Sequence, residues 1–271
     1  MKICLIAVIY NESYLCSLSK LYESLTKHID SAVIVNNSNL IKTQTIKNYF
    51  PQSCIIQGTN NCFDFSGYQE GLDFSRSHFK EMNWYLFVND SVMEHRVFTN
   101  SRLKSFLRVM LEKPENPSYL GFTDKVETSS EFFIDNLVCS EWVSTYMFAM
   151  NPSALTLINW KIYDKEFTEA SVWITETSEL SFSSRRVSFK LIEHIQDWLF
   201  NGKWYRSHEE GIEKTLFLTK TRCILSEKLL SAKANNIGIK VIDPLRADKK
   251  LYFIDKFIRL FMKVVRKKFR A

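Results

Sequence analysis

Few of the usual signposts of function occur in this chain of 271 residues. No apolar run approaches the ~20 residues that a membrane-spanning helix needs. There is no G-x-G-x-x-G and no G-x-x-x-x-G-K, which excludes a standard dinucleotide-binding or P-loop reading. Phosphates would therefore be handled by side chains or by a metal. The six cysteines (Cys4, Cys16, Cys54, Cys62, Cys139, Cys223) are scattered and form no C-x-x-C pair. That pattern suits buried free thiols in a reducing compartment better than disulfides or a zinc site. No H-x-x-x-H or His/Cys cluster occurs, so His28, His78, His95 and His208 read as surface residues. Only 7 Gly and 5 Pro argue against a many-turned β-sandwich.

What is present is ordinary for a globular protein: 45% hydrophobic, 24% charged, and aromatic-rich with 21 Phe. The length allows one large domain or two small ones, with a sizeable core. The net charge of +6 is unevenly spread. Residues 246–271 hold ten Lys/Arg against Asp248 and Asp255, a surplus of eight, which leaves the rest of the chain at minus two. The basic character belongs to the tail, and a general nucleic-acid-binding surface is not supported. The start, M-K-I-C-L-I-A-V-I-Y-N-E, has too short an apolar run and no small-residue cleavage site for a signal peptide, so a first strand is expected.

The stretch Trp84–Ser91, W-Y-L-F-V-N-D-S, organises the chain. Its apolar run reads as a strand covered on both faces, hence parallel. It stops abruptly at Asn89-Asp90-Ser91. Ligands of open α/β sheets bind beyond the carboxyl ends of strands, so Asp90 is placed to hold a metal ion or a phosphorylated ligand; the plainer reading is a turn cap. Lys2–Tyr10, Ala32–Val35 and Ser53–Gln57 read as three earlier strands, and helices are expected from Ser13 to about Lys27, at Ile41–Tyr49 and at Phe65–Phe79. This β-α-β-α-β-α-β order with short connections implies right-handed crossovers and a mostly parallel sheet flanked by helices. Asn11, Asn36, Asn61 and Asp90 would share one edge.

The segment Asn60–Leu72, N-N-C-F-D-F-S-G-Y-Q-E-G-L, is similar to the N-x-G-x-x-x-A-x-N-x-G segment of family 2-like glycosyltransferases with the GT-A fold. Asn61 and Gly71 match its spacing, Gln69 stands at the second Asn, and Phe63 replaces the first Gly. Tyr10-Asn11 after the first strand fits, and so does Ile34–Ser38, where Asn36 takes the place of an Asp that commonly contacts the base. Rhamnan-synthesis-F-like glycosyltransferases are more similar still. Their motifs are matched in order by Phe63–Tyr68 with Gly71-Leu72, Phe87–Ser91, Gly121–Asp124 and Ser144–Met150. The resemblance covers about residues 1–205.

The resemblance implies a GT-A-like (Rossmann-like) domain over residues 1–242. It implies transfer of a sugar from a nucleotide-sugar donor to a glycan or lipid-linked glycan acceptor, such as a bacterial O-antigen or capsule. A D-x-D motif would hold Mg²⁺ or Mn²⁺ against the leaving diphosphate; here only Asp90 of that motif remains, with Asp64 as a second candidate. Tyr10, Asn11, Asn36, Asn61, Asp64, Gly67, Asn89 and Asp90 would line the donor pocket. The base that takes the acceptor proton in an inverting transfer would come from Asp124, Glu141, Glu193 and His194, with Asp124, at the end of a strand expected at Tyr119–Thr123, and Glu193, in a helix expected at Leu191–Asn201 before Gly202-Lys203-Trp204, favoured equally. Two rivals stand beside this reading. A sugar-phosphate nucleotidyltransferase should carry a Gly-rich, Lys/Arg-containing loop at residues 10–14, where none exists. A non-catalytic membrane-associated assembly partner fits the incomplete D-x-D.

After Asp243-Pro244, Leu251, Ile254, Phe257, Ile258, Phe261, Val264 and Val265 recur at helical spacing with Lys and Arg between them. A basic amphipathic helix over 243–271 reads as lying on an anionic membrane surface, which would place the protein on the cytoplasmic face of the inner membrane. The bland alternative is a helix packed on the domain or on a partner.

Overall fold

A computed structural model of the chain describes residues 1–94, 99–112, 116–125, 131–177, 179–201, 204, 213–247 and 250–257. The first half alternates as the sequence implies. Strand β1 (Ile3–Ile9) is buried at every residue and is followed by a short 3-10 turn at Glu12–Tyr14 and helix α1 (Leu15–Leu25). The turn is capped by Asn11, whose side chain accepts the Ser13 N–H, so the α-helix begins at Leu15 and not at Ser13. Then come β2 (Ser31–Asn36), α2 (Thr43–Tyr49), β3 (Cys54–Gln57), α3 (Phe63–His78) and β4 (Trp84–Asn89). A 3-10 turn at Asp90–Met93 leads towards α4 (Asn100–Leu111).

The second half is less regular. It contains β5 (Ser118–Lys125), the hairpin β6 (Phe132–Ile134) and β7 (Leu137–Cys139), and the long strand β8 (Glu141–Met150). Helices α5 (Pro152–Leu157) and α6 (Lys165–Ser171) precede a second small hairpin, β9 (Val172–Ile174) and β10 (Leu180–Phe182). Helices α7 (Phe189–Phe200) and α8 (Lys214–Asn236), strand β11 (Lys240–Ile242) and helix α9 (Pro244–Ala247) follow, and residues 250–257 are again helical.

The described strands build a seven-stranded sheet in the order β11-β5-β8-β4-β1-β2-β3. All its strands are parallel except β8, which runs antiparallel to both β4 and β5. The fold is therefore a mostly parallel, Rossmann-like α/β sheet flanked by helices, as the repeating strand–helix pattern implies. One face carries α1, α2 and α4 over Leu5, Ala7, Ile34, Leu86 and Val88; the other carries α3, α5 and α8 over Ile6, Val8, Val35, Phe87 and Phe148. A third apolar cluster joins α7 and the two hairpins to the outer side of α8.

Strand order reverses direction between β1 and β4. The chain steps outward from β1 to β2 and β3, then returns to the other flank of β1. In open α/β sheets, ligands bind beyond the carboxyl ends of the strands at such a switch point.

Beyond β11 the chain stays attached to the sheet. Asp243 accepts hydrogen bonds from the Thr123 N–H and hydroxyl at 3.2 and 3.0 Å, and Arg246 reaches Glu141 at 2.7 Å. The domain division expected at 242/243 thus falls between an edge strand and a residue bonded to β5. Of the expected tail helix, residues 248–249 and 258–271 lie outside the described residues, as do His95, Gly202, Lys203 and His208.

Candidate functional site at the switch point

Val8 and Asn89 are register partners in β1 and β4, so the residues after them emerge side by side. The Asp90 Oδ2 atom accepts the N–H groups of Tyr10 at 2.7 Å and Asn11 at 2.8 Å. One carboxylate thus clasps the ends of both strands across the switch point. Asn89 Nδ2 donates to Asp64 Oδ2 at 3.0 Å, which draws the first turn of α3 to the same place. Tyr10 stands edge-on to Phe63, with ring centroids 5.8 Å apart, and its hydroxyl accepts from Asn37 Nδ2 at 3.1 Å. Tyr10, Asn11, Asp64, Asn89 and Asp90 are therefore brought together.

Phe63 explains part of this geometry. Its φ is +44°, in the left-handed region that bulky residues avoid. Asn37 Nδ2 holds the bend by donating to the Phe63 carbonyl at 3.0 Å.

The remaining sequence candidates lie elsewhere or are otherwise engaged. Asn36 is buried, and its amide is spent on the Ile41 carbonyl at 2.9 Å and Gln57 Oε1 at 3.2 Å, while its oxygen accepts the Ser38 N–H. Asn61 is exposed in the turn before α3. Gly67 lets α3 lie on β1: a Cβ there would meet Val8 Cγ1 at 2.7 Å. Asp124 ends β5 at the same edge, two strands from Asp90 with β8 between, and accepts the Ser144 hydroxyl. Two inter-strand steps span ~10 Å across the sheet, and the register adds an offset along it, since Asp124 pairs with Trp142 and Val88 with Met147. Glu193 is exposed on α7, away from the buried Leu191, Ile195 and Leu199.

Helix α8 contributes residues that sequence reasoning missed. The Lys220 ammonium lies 5.6 Å from the Phe63 ring centroid and 5.4 Å from that of Trp198, and its charge acts on Asp64. Glu227 accepts the Thr145 N–H at 3.0 Å and hydroxyl at 2.9 Å, and pairs with Lys228 at 2.7 Å. Lys228 in turn lies 3.4 Å from the Trp142 ring centroid. Asn37, adjacent to the candidate Asn36, was also missed.

The electrostatics separate two groups of charges. Burial pushes Asp90 up to about 7, against the two backbone N–H bonds, and the Asp64 charge adds to the rise. Burial also raises Asp64, with Lys220 and the Asn89 bond opposing it. Burial would raise Glu227 too, but Lys228 and the Thr145 bonds outweigh it and hold Glu227 below the usual carboxylate range. Glu227 is thus a satisfied partner in an ion pair, whereas Asp64 and Asp90 form a desolvated acidic pair that a nearby cation would stabilise.

Among the described residues no group of three or more His, Cys, Asp or Glu side chains is placed to hold a metal ion. A hard divalent ion fits here only with Asp64 and Asp90 as one or two carboxylate ligands, its remaining positions filled by diphosphate oxygens or water.

Fold and site together define an α/β protein with a Rossmann-like sheet and an acidic pair at its switch point. No protein-family model and no curated protein matches the chain. Among solved structures it is similar to 4-diphosphocytidyl-2C-methyl-D-erythritol synthase from Anaerococcus prevotii DSM 20548, with 13% identity and a TM-score of 0.40 over 65% of this chain and 79% of that one. A second 4-diphosphocytidyl-2C-methyl-D-erythritol synthase gives 13% identity and a TM-score of 0.36 over 57% and 75%. Likenesses this distant carry nothing to the site.

Proposed function

We propose that this chain is a glycosyltransferase that binds a nucleotide-sugar donor at the β1/β4 switch point and transfers the sugar to a glycan acceptor of the surface-polysaccharide kind. The observation that carries the reading is the convergence of Asp90, Asp64 and Lys220 on the ends of β1 and β4. A nucleoside diphosphate brings negative charge that needs a cation. Lys220 supplies one from the protein, and the acidic pair is suited to a divalent ion shared with the phosphates. Such an ion would neutralise charge developing on the departing diphosphate. Tyr10 and Phe63 offer aromatic faces beside it.

For the acceptor proton, position supports Asp124 over Glu193. Asp124 lies at the edge that carries Asp90, with the Ser144 hydroxyl holding one of its oxygens. Its separation from Asp90 leaves room for a sugar ring between the two.

The test is a thermal-shift and calorimetry panel of UDP-, GDP-, dTDP- and CMP-sugars with Mn²⁺, followed by assay of nucleoside diphosphate release. A ligand at a hundred times its Kd stabilises the fold by about 2.7 kcal/mol, well within detection. Asp64→Asn and Lys220→Gln are expected to weaken donor binding about tenfold or more. Asp124→Asn is expected to keep binding and lower turnover by about 10² to 10⁴. Wild-type binding and turnover in all three variants would remove the reading.

A further inference from the structure

The helical residues 250–257 touch the domain along a narrow seam and leave most of their surface bare. Asp255 is 0% exposed, and Leu251, one turn before it, is half-buried; the other residues are exposed. Asp255 is held by a dense set of bonds. Arg102 Nε donates to its Oδ1 at 2.9 Å and Arg102 Nη2 to its Oδ2 at 3.3 Å, while the Thr99 hydroxyl donates to Oδ1 at 3.0 Å. The same guanidinium donates to the Tyr146 hydroxyl at 3.0 Å and lies 4.6 Å from the Phe122 ring centroid.

This clamp fixes which way the helix faces. Residues 251 and 255 point inward, so the arc opposite them carries Phe253 and Phe257, which are 67% and 74% exposed. Lys250 and Lys256 flank that arc, and both are exposed. Two bare phenyl rings bordered by ammonium groups suit an apolar layer roofed by negative charge. The sequence continues in the same style, with Arg259, Lys263, Arg266, Lys267, Lys268 and Arg270 against no acidic residue after 255. No described helix is long and apolar enough to cross a membrane.

We propose that the 250–257 helix docks this protein on an anionic lipid surface, with Phe253 and Phe257 inserted between headgroups, Lys250 and Lys256 on the phosphates, and Asp255–Arg102 as the clamp that sets the docking angle. The clamp lies on the side of the candidate site. Thr99 and Arg102 open α4, the helix that follows the Asp90 turn, and Phe122 is in the carboxyl half of β5, which ends at the same edge as β4. A docked helix would hold the switch-point edge near the headgroups, within reach of a lipid-linked acceptor. The lipid contact itself does not depend on the transferase reading.

The experiment is co-sedimentation of the full chain with phosphatidylglycerol-containing vesicles and with phosphatidylcholine vesicles, at low and high salt. Sedimentation with the anionic vesicles alone, released by salt, is the expected result. Phe253→Ser/Phe257→Ser is expected to weaken binding about a hundredfold, since burying one phenyl is worth roughly a factor of ten or more. Lys250→Glu/Lys256→Glu should weaken it about as much, through charge. All four side chains are exposed, so the melting temperature of each double variant should match wild type, which separates lost docking from lost folding. Failure to sediment with anionic vesicles, or equal sedimentation of the Phe variant, overturns the proposal. So does a concentration-dependent dimer in light scattering that the Phe variant abolishes, because the face would then belong to a second copy.

Discussion

Asp90 is 3% exposed, and its carboxyl keeps a proton up to about 7, where an ordinary carboxyl loses it near 3.8. Between those values the folded chain binds more protons than the unfolded chain. Stability from this group is therefore fully present below about pH 4 and is lost as pH rises towards 7. About three pH units at 1.36 kcal/mol each set the scale at about 4 kcal/mol. Asp90→Asn keeps the shape and an acceptor oxygen for the Tyr10 and Asn11 N–H groups, but cannot ionise. In urea melts at about pH 5 and about pH 8, the wild type is expected to lose stability relative to this variant as pH rises. Parallel behaviour would mean that Asp90 is solvated rather than buried. Phe63 poses a different residue-scale problem: its left-handed backbone costs about 1–2 kcal/mol, which its contact with Tyr10 and the bond from Asn37 help to offset.

At the scale of elements, α3 sets the depth of the site. Gly67 and Gly71 lie one turn apart on the face against β1, and a Cβ on Gly71 would meet Ile6 Cγ2 at 2.5 Å. Gly67→Ala gains about 1 kcal/mol of helix propensity but is expected to lose about 1–3 kcal/mol from overpacking against Val8. Displacement of α3 would also carry Asp64 away from Asn89. A lowered melting temperature together with weaker donor binding is the expected pair of results; a melting temperature above wild type would show that α3 yields without strain. The strands β1, β2 and β4 were legible in the sequence because each is a continuous apolar run between polar breaks, and those breaks also exposed Asn11 and Asp90. The direction of β8 was not legible, because Ser144–Met150 says buried strand and nothing about orientation. Helix α8 escaped notice because it buries Cys223, Leu230 and Ala234 on one side and Leu225, Leu229 and Ala232 on another, which blurs a single stripe. Lys220 went with it: a lysine in such a helix reads as solvated until α3 is placed opposite. The four strands of the small hairpins have three residues each, too few for any period to show.

For the molecule as a whole, the contrast between the charged tail and the slightly acidic remainder is bridged at Arg102 and Asp255. Both are buried, so Asp255→Ala takes from the Arg102 guanidinium the carboxylate to which it donates. Asp255→Ala is expected to cost about 3–5 kcal/mol or to release the helix altogether. Limited proteolysis distinguishes this from a surface ion pair: rapid cleavage between residues 247 and 257 is expected in the variant and slow cleavage in wild type, and equal rates would show that the clamp contributes nothing to seating. The reversed strand β8 has a consequence at this scale as well. It wedges between β4 and β5, so the spacing of Asp90 from Asp124 is dictated by backbone ladders and not by side-chain reach. Substitution can change the chemistry at either post, while the span between them behaves as a ruler that only a change of sheet topology would reset.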